Sequence, residues 1–441
     1  MSKILMTVWP IETHLSPFMA VAQCLTARGH EVAFYTSGQL RNQLEREGFR
    51  CFPFERVTSH HAECNPGAVI TSKMGVRARR QMWHDFLLGS VPGQLQDLER
   101  IWTAWQPDVV VCDITMWGPI LVVHETKQVP LAVLAHTAYC LLEGREHPAP
   151  GISLPRPRTP AARLVARLLT AGINTATASI PREASRIRRA HGLPSLDSTV
   201  MEFTGRLPLH LVPSAPEFDY ERRDLPSSVR YVGPCMWEGD PQPAPEWVTS
   251  MRGRRRIVVL EEQHYPEDGF LLKIAARAFA GQSAGVILMA GQGRDLSAFD
   301  LGASAANIRL EPWAPLSHAI SSADLVIAHG CSETVLATLG RGIPMVVVPR
   351  MLEQPQIAWR LAATGAGIRL PMRGCTPERL RHTAERVLSD SSFERNAGRI
   401  RAAFTRMGGP SRAAESIEGL DRNYKIPVER GREQVHAGSR F

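Results

Sequence analysis

The chain contains no run of about 18 apolar residues, and its first residues pass into a strand pattern with no basic segment ahead of a long apolar core. A membrane span and an export signal are therefore not expected, and the cytoplasm is. It has no Cys-x-x-Cys pair: its eight cysteines stand apart at 24, 51, 64, 112, 140, 235, 331 and 375. That spacing reads as reduced core thiols and excludes a disulfide framework or a cysteine-built metal site. No recognition-helix, RNA-binding or zinc-finger signature occurs, so nucleic acid is not an expected partner. An Asp-x-Asp pair, the usual holder of a divalent ion beside a diphosphate, is also missing, and neither a metal nor a resident cofactor is expected.

With 44% hydrophobic and 21% charged residues, the composition is that of an ordinary globular protein. The formal charge of +8 is spread over arginines such as Arg163, Arg167, Arg182, Arg186, Arg188 and Arg189. This balance is compatible with an anionic small ligand or with weak association with a membrane surface, although solvated helix faces explain it more simply. Nothing in the sequence fixes the oligomeric state, and a homodimer stays open.

A length of 441 residues exceeds one ordinary core and suits two domains of about 200 residues each. Strand and helix patterns alternate in both halves, which predicts an α/β protein with two doubly wound parallel sheets. Strands are expected at 4–9, 32–35, 50–52, 109–112, 131–134 and 209–212, then at 257–260, 286–289, 308–310, 325–328, 345–348 and 368–370. Proline accumulates between the halves, at Pro213, Pro216, Pro226, Pro234, Pro241, Pro243 and Pro245. That marks a linker at 216–250, between domains at 1–215 and 251–410. A helix over 411–424 and a mobile basic tail at 425–441 complete the chain.

Chemistry-bearing residues gather where strands end. His14 follows the first strand in Thr13-His14-Leu15-Ser16-Pro17, read as a loop with Ser16 as N-cap and Pro17 at the first helical position. The helix then closes in Arg28-Gly29-His30. Asp113 ends Pro-Asp-Val-Val-Val-Cys-Asp, whereas Asp108 enters that strand. In the second half, Trp-Ala-Pro-Leu-Ser-His at 313–318 precedes AHGCSETVLATLGRGIPMVVVPRMLEQPQI at 328–357. A strand turning into a helix through His329, Gly330 and Thr334 aims main-chain N–H groups at whatever lies above the helix, which favours a phosphate. A second strand closes at Pro349, ahead of Glu353 and Gln354, so both loops open on one crevice. Gly291 and Gly293 follow the strand at 286–289, but Leu296 breaks a full Gly-x-Gly-x-x-Gly and with it a dinucleotide motif.

These two signatures together resemble the family 1, UDP-glycosyltransferase-like enzymes of GT-B fold, of the bacterial macrolide and natural-product type. The likeness spans nearly the whole chain, with Tyr231-Val232-Gly233-Pro234 typical of the segment before the second domain. It implies an N-terminal acceptor domain, a C-terminal nucleotide-sugar domain and a last helix that returns to the first domain. It further implies an inverting, metal-independent transfer from a UDP- or dTDP-sugar to a hydroxyl or amine of an apolar small molecule. By the same likeness His14 is the general base and Asp113 its partner, Trp313 stacks on the pyrimidine, His329, Gly330 and Thr334 hold the diphosphate, and Glu353 and Gln354 bind sugar hydroxyls. Gly291 and Gly293 let the nucleotide approach the backbone closely.

Acceptor contacts are expected from Trp83, Phe86, Met116 and Trp117, from 60–75, and from the loop at 143–160 leading to Leu164, Leu168 and Leu169. The sequence departs from the family at Thr13, a glycine elsewhere, and at Cys331 and Glu333, where glycines flank the phosphate loop. It departs again at Glu261-Glu262-Gln263-His264, where relatives carry a Gly-Thr or Ser-rich turn. Carboxylates in both loops either turn away, with Arg350 or His264 compensating, or impair the donor site. The second case implies a small-molecule binder or a partner of another transferase. Ala337 replaces a ribose-binding glutamate and suits a deoxyribose nucleotide.

Overall fold

In the computed structural model the described residues are 1–58, 61, 76–144, 153–220, 222–237, 239, 255–261, 269–291, 293–296, 299 and 305–423. The expected mobile tail, Glu262, Gln263, His264 and all of 60–75 except His61 lie outside them.

Apolar runs such as Val109-Val110-Val111-Cys112 suit strands buried on both faces. They assemble two parallel sheets. The first joins β1 (Lys3–Thr7), β2 (Glu31–Thr36), β3 (Arg50–Pro53), β4 (Val109–Asp113), β5 (Leu131–Leu134), β6 (Leu209–Val212) and β7 (Val229–Tyr231) in the order β3-β2-β1-β4-β5-β6-β7. The second joins β8 (Arg256–Leu260), β9 (Gly285–Met289), β10 (Ile308–Glu311), β11 (Leu325–Ala328), β12 (Met345–Val347) and β13 (Gly367–Arg369) in the order β10-β9-β8-β11-β12-β13. In each sheet the order reverses once, at β1/β4 and at β8/β11. Crevices at such reversals, beyond the carboxyl ends of the strands, are where these sheets bind ligands.

Two local features differ from the sequence reading. Val229–Tyr231 pairs with β6, so the first sheet reaches into the stretch read as linker. The first helix, α1 (Glu12–Ala27), begins four residues before the expected cap, with Ile11 as N-cap. His14 and Leu15 already donate to the Ile11 carbonyl at 2.9 and 3.0 Å, which makes His14 a first-turn residue and Pro17 an interior one. Ser16 does not cap; its Oγ accepts from the Trp237 amide at 3.3 Å.

Two of the ties between the domains, among the described residues, are built on charged side chains. The final helix, Gly409–Asn423, returns to α1: Ala413, Ala414 and Ile417 join the first domain's core. Arg28 reaches Glu415 and Glu418, both at 3.3 Å, and His30 lies 3.1 Å from Glu418. The Arg-Gly-His ending of α1 is thus a dock for the end of the chain. The second tie is Arg360, which has no exposure. It donates to Asp219 at 2.7 Å and lies over the rings of Tyr139 at 4.0 Å and Tyr220 at 4.4 Å. Asp219 is saturated by the Cys140 amide and the Tyr231 hydroxyl, both at 2.8 Å. No helix among the described residues is long and apolar enough to cross a membrane.

Breaking a buried pair from one side strands a charge. Arg360→Met is expected to cost about 3–5 kcal/mol in urea unfolding, and Arg360→Met combined with Asp219→Asn to recover part of it. A single variant as stable as the parent would show that this tie carries no stability.

Candidate active site at the interdomain gap

The reversal of the first sheet brings β1 and β4 side by side, and Asp113 is the last residue of β4. Its carboxylate has no exposure. Oδ2 lies 2.6 Å from Nδ1 of His14 and accepts from the Trp9 amide at 3.3 Å, while Oδ1 accepts from the Thr115 amide at 3.0 Å. Burial acts to raise the Asp113 carboxyl, but the neighbouring imidazoles, His14 foremost, outweigh it and hold the group well below the usual carboxylate range. The bond to Nδ1 assigns the His14 tautomer and leaves Nε2 as the nitrogen available to another molecule.

A third member escaped the sequence reading. His136 lies two residues beyond β5, the strand paired with β4, and its ring stacks on that of His14 at 3.6 Å and 17°. Its Nδ1 is 3.6 Å from Asp113 Oδ1. The signal that singled out Asp113, a polar residue where a buried parallel strand ends, also marks His136. Among the described residues, His14, Asp113 and His136 form the one cluster close enough to share a metal ion. Two imidazoles that ligate one ion splay around it, however, and these lie nearly parallel.

The second sheet repeats the device at β8/β11. His329, just past β11, lies 2.7 Å from Glu261, just past β8, through Nε2, and 2.9 Å from the Val348 carbonyl through Nδ1. The other Glu261 oxygen accepts from the amides of Leu271 and Leu272 at 2.9 and 3.3 Å. His329 is fully buried, and its ring braces the loop whose main-chain N–H groups were expected at the diphosphate. Arg350 stands 3.9 Å from Glu261. Gly330 then turns the chain with φ +100°, where a Cβ would come within 2.6 Å of Val347.

A cavity of about 520 Å³ opens between the domains. Glu12, Thr13 and Ser16, around His14, line one side; Gly291, Trp313, Cys331, Glu333, Thr334 and Ala337 line the other. Trp313 is 44% exposed, unusual for an indole and suited to a stacking platform. Cys331 is the N-cap of the helix Ser332–Gly340 and gives no side-chain cap bond, and Glu333 and Thr334 stand in its first turn, so the N-terminal end of that helix borders the cavity. Glu333 is half-buried, and burial first, Glu12 second, push its carboxyl up to about 7. Among the described residues the cations lining the cavity are Arg46 and Arg341 rather than Arg350.

Other expected contacts are relocated. Gln354 is buried, and its Oε1 accepts from the amides of Arg350 and Met351 at 2.9 and 3.3 Å, stapling the turn that was expected to present it to a sugar. Glu353, N-cap of the helix Gln354–Thr364, stays partly exposed and acts electrostatically on His136. Gly293 has φ +74°, and a Cβ there would meet nothing within 4 Å among the described residues beyond its chain neighbours. Phe86, Met116 and Trp117 are 3%, 0% and 2% exposed, packed with Trp9 in the first domain's core, and Trp83 packs partly buried against them. None of the four lines the cavity. Leu164, Leu168 and Leu169 are exposed along the helix Pro160–Ala176.

Glu261→Ala should destabilise the second domain by about 3 kcal/mol, because His329 and two helix amides lose their buried acceptor. Unchanged thermal unfolding would contradict this bracing role.

Residues 283–420 match the family of the erythromycin biosynthesis protein CIII-like C-terminal domain. The chain is 28% identical over 432 residues to 4'-demethylrebeccamycin synthase of Lentzea aerocolonigenes, covering 95% of this chain and 99% of that protein. It is 27% identical over 425 residues to demethyllactenocin mycarosyltransferase of Streptomyces fradiae, covering 95% and 87%. In fold it matches the glycosyltransferase VinC, solved in complex with dTDP, with a TM-score of 0.69 at 20% identity over 95% and 99% of the two chains. Two parallel-sheet domains meeting at such a gap give the chain the GT-B fold, and these relatives support a glycosyltransferase similar to the family 1 enzymes of natural-product biosynthesis.

Proposed function

We infer that the protein moves a sugar from a dTDP- or UDP-sugar to a hydroxyl or amine of an apolar natural product, with inversion and without a metal. The observation that carries this reading is the 2.6 Å contact between His14 and the buried Asp113, on the first turn of a helix that borders the interdomain cavity. His14 Nε2 takes the acceptor proton as the acceptor's oxygen or nitrogen attacks the anomeric carbon. The bond from that carbon to the diphosphate oxygen breaks with its electron pair leaving on the phosphate. Asp113 stabilises the imidazolium, and the first amides of Ser332–Gly340 stabilise the departing charge. Trp313 carries the base and Glu353 the sugar hydroxyls. Ala337 leaves no carboxylate for a ribose 2'-hydroxyl, which favours dTDP over UDP, as does the nucleotide bound to VinC.

The second reading, a donor-impaired binder or partner protein, is favoured by one observation: Glu333 lines the cavity where the diphosphate would lie. Protonation reconciles it with donor binding. Below its raised value of about 7 the carboxyl is neutral; above it the group is anionic and repels the ligand.

Two outcomes are expected. His14→Ala lowers kcat by roughly 10²- to 10⁴-fold across a panel of aglycones, with dTDP affinity unchanged; equal turnover by variant and parent would reject the base. By calorimetry, dTDP binds the parent about tenfold more weakly at pH 8.5 than at pH 6, relative to Glu333→Gln measured in parallel. No dTDP or UDP binding at either pH beside an intact fold would support the donor-impaired reading.

A further inference from the structure

Nothing in the proton transfer proposed above uses His136, yet it is among the groups most tightly arranged around Asp113. Its ring lies flat against His14 at 3.6 Å, from a different strand. Its Nδ1 faces the carboxylate oxygen that His14 does not use and has no hydrogen-bond partner. At 17% side-chain exposure it is not a sealed core residue. Burial first, and the adjoining His14 second, hold His136 below the ordinary histidine range, so at neutral pH it is an uncharged ring. Asp113 from β4, His14 from α1 and Glu353 from the second domain are the charged or titratable groups that act on it.

We propose that His136 is a positioning residue of the transfer reaction, which holds the plane of the His14 ring by stacking and divides the charge of Asp113 between two imidazoles. The proposal rests on His14 being the base.

The physical consequences are separable. Stacking from one side restricts ring rotation, so that Nε2 keeps one direction once Nδ1 is tied to Asp113. The N–H dipole of a neutral His136, turned to Oδ1, withdraws part of the carboxylate's negative potential from His14. Removing that dipole while keeping a flat ring leaves the carboxylate wholly to His14. The base then stays protonated to higher pH. Removing the ring also lets His14 turn.

The test uses the full-length protein with His136→Phe and His136→Ala, and His14→Ala as the reference. In His136→Phe the acid limb of the kcat/KM profile should move up by about half a unit to one unit, with plateau kcat within about threefold of the parent and both KM values unchanged. In His136→Ala kcat should fall by about tenfold or more at every pH, with donor KM unchanged. Unchanged profiles in both variants, or a rise in acceptor KM alone, would overturn the proposal and leave His136 as pocket wall. Should His136→Ala not fold, the limb shift in His136→Phe decides the matter alone. An inactive His14→Ala beside unaffected His136 variants sinks only this proposal; an active His14→Ala sinks the base assignment beneath it.

Discussion

A carboxylate withdrawn from water at the end of a buried strand is the constraint on which the site depends. Left unpaired, Asp113 would cost several kcal/mol. It persists because two main-chain amides and the His14 ring converge on it. Their convergence requires β1 and β4 to be neighbours and α1 to start at residue 12. The sheet order supplies the first condition, and the short turn through Ile11 supplies the second. The imidazole orientation is thus a product of topology.

The second domain uses the same geometry for another purpose. Glu261 past β8 and His329 past β11 stand at the second reversal as His14 past β1 and Asp113 at the end of β4 stand at the first, with acid and imidazole exchanged, but helix amides take up Glu261's other oxygen and the Val348 carbonyl takes the second nitrogen of His329. With no ring nitrogen left over, this pair fixes a loop whose backbone faces the gap. One pair therefore keeps a nitrogen for chemistry, and the other keeps none. The Glu261 carboxylate, which stands where relatives were expected to carry a small residue, is thus spent inward on His329 and two helix amides.

Much of this was legible in the sequence, because buried parallel strands announce themselves as apolar runs and their carboxyl ends carry the polar residues. Twelve of the thirteen strands and the sheet class follow from that rule, whereas His14, Asp113 and Trp313 stood out by their likeness to family motifs. β7 escaped because its three residues lie among prolines. The start of α1 escaped because Ser16-Pro17 imitates a cap so well that the earlier Glu12 turn was read as loop. Direction was least legible: Met116, Trp117 and Phe86 look like pocket residues by type, and Gln354 and His329 like ligand groups by motif. Which way each points depends on its partners: Trp9 and Glu261, distant in sequence, for the aromatics and His329, and the turn at Arg350 and Met351 just before it for Gln354. His136 was missed for want of applying the strand-end rule to β5.

The central claim, a base on one domain facing a diphosphate cradle on the other, requires a single displacement at the anomeric carbon. The most direct measurement is the anomeric proton coupling, by NMR, of a product made from a dTDP-sugar of known configuration. The account predicts the opposite anomeric configuration in the product; a retained configuration would contradict it.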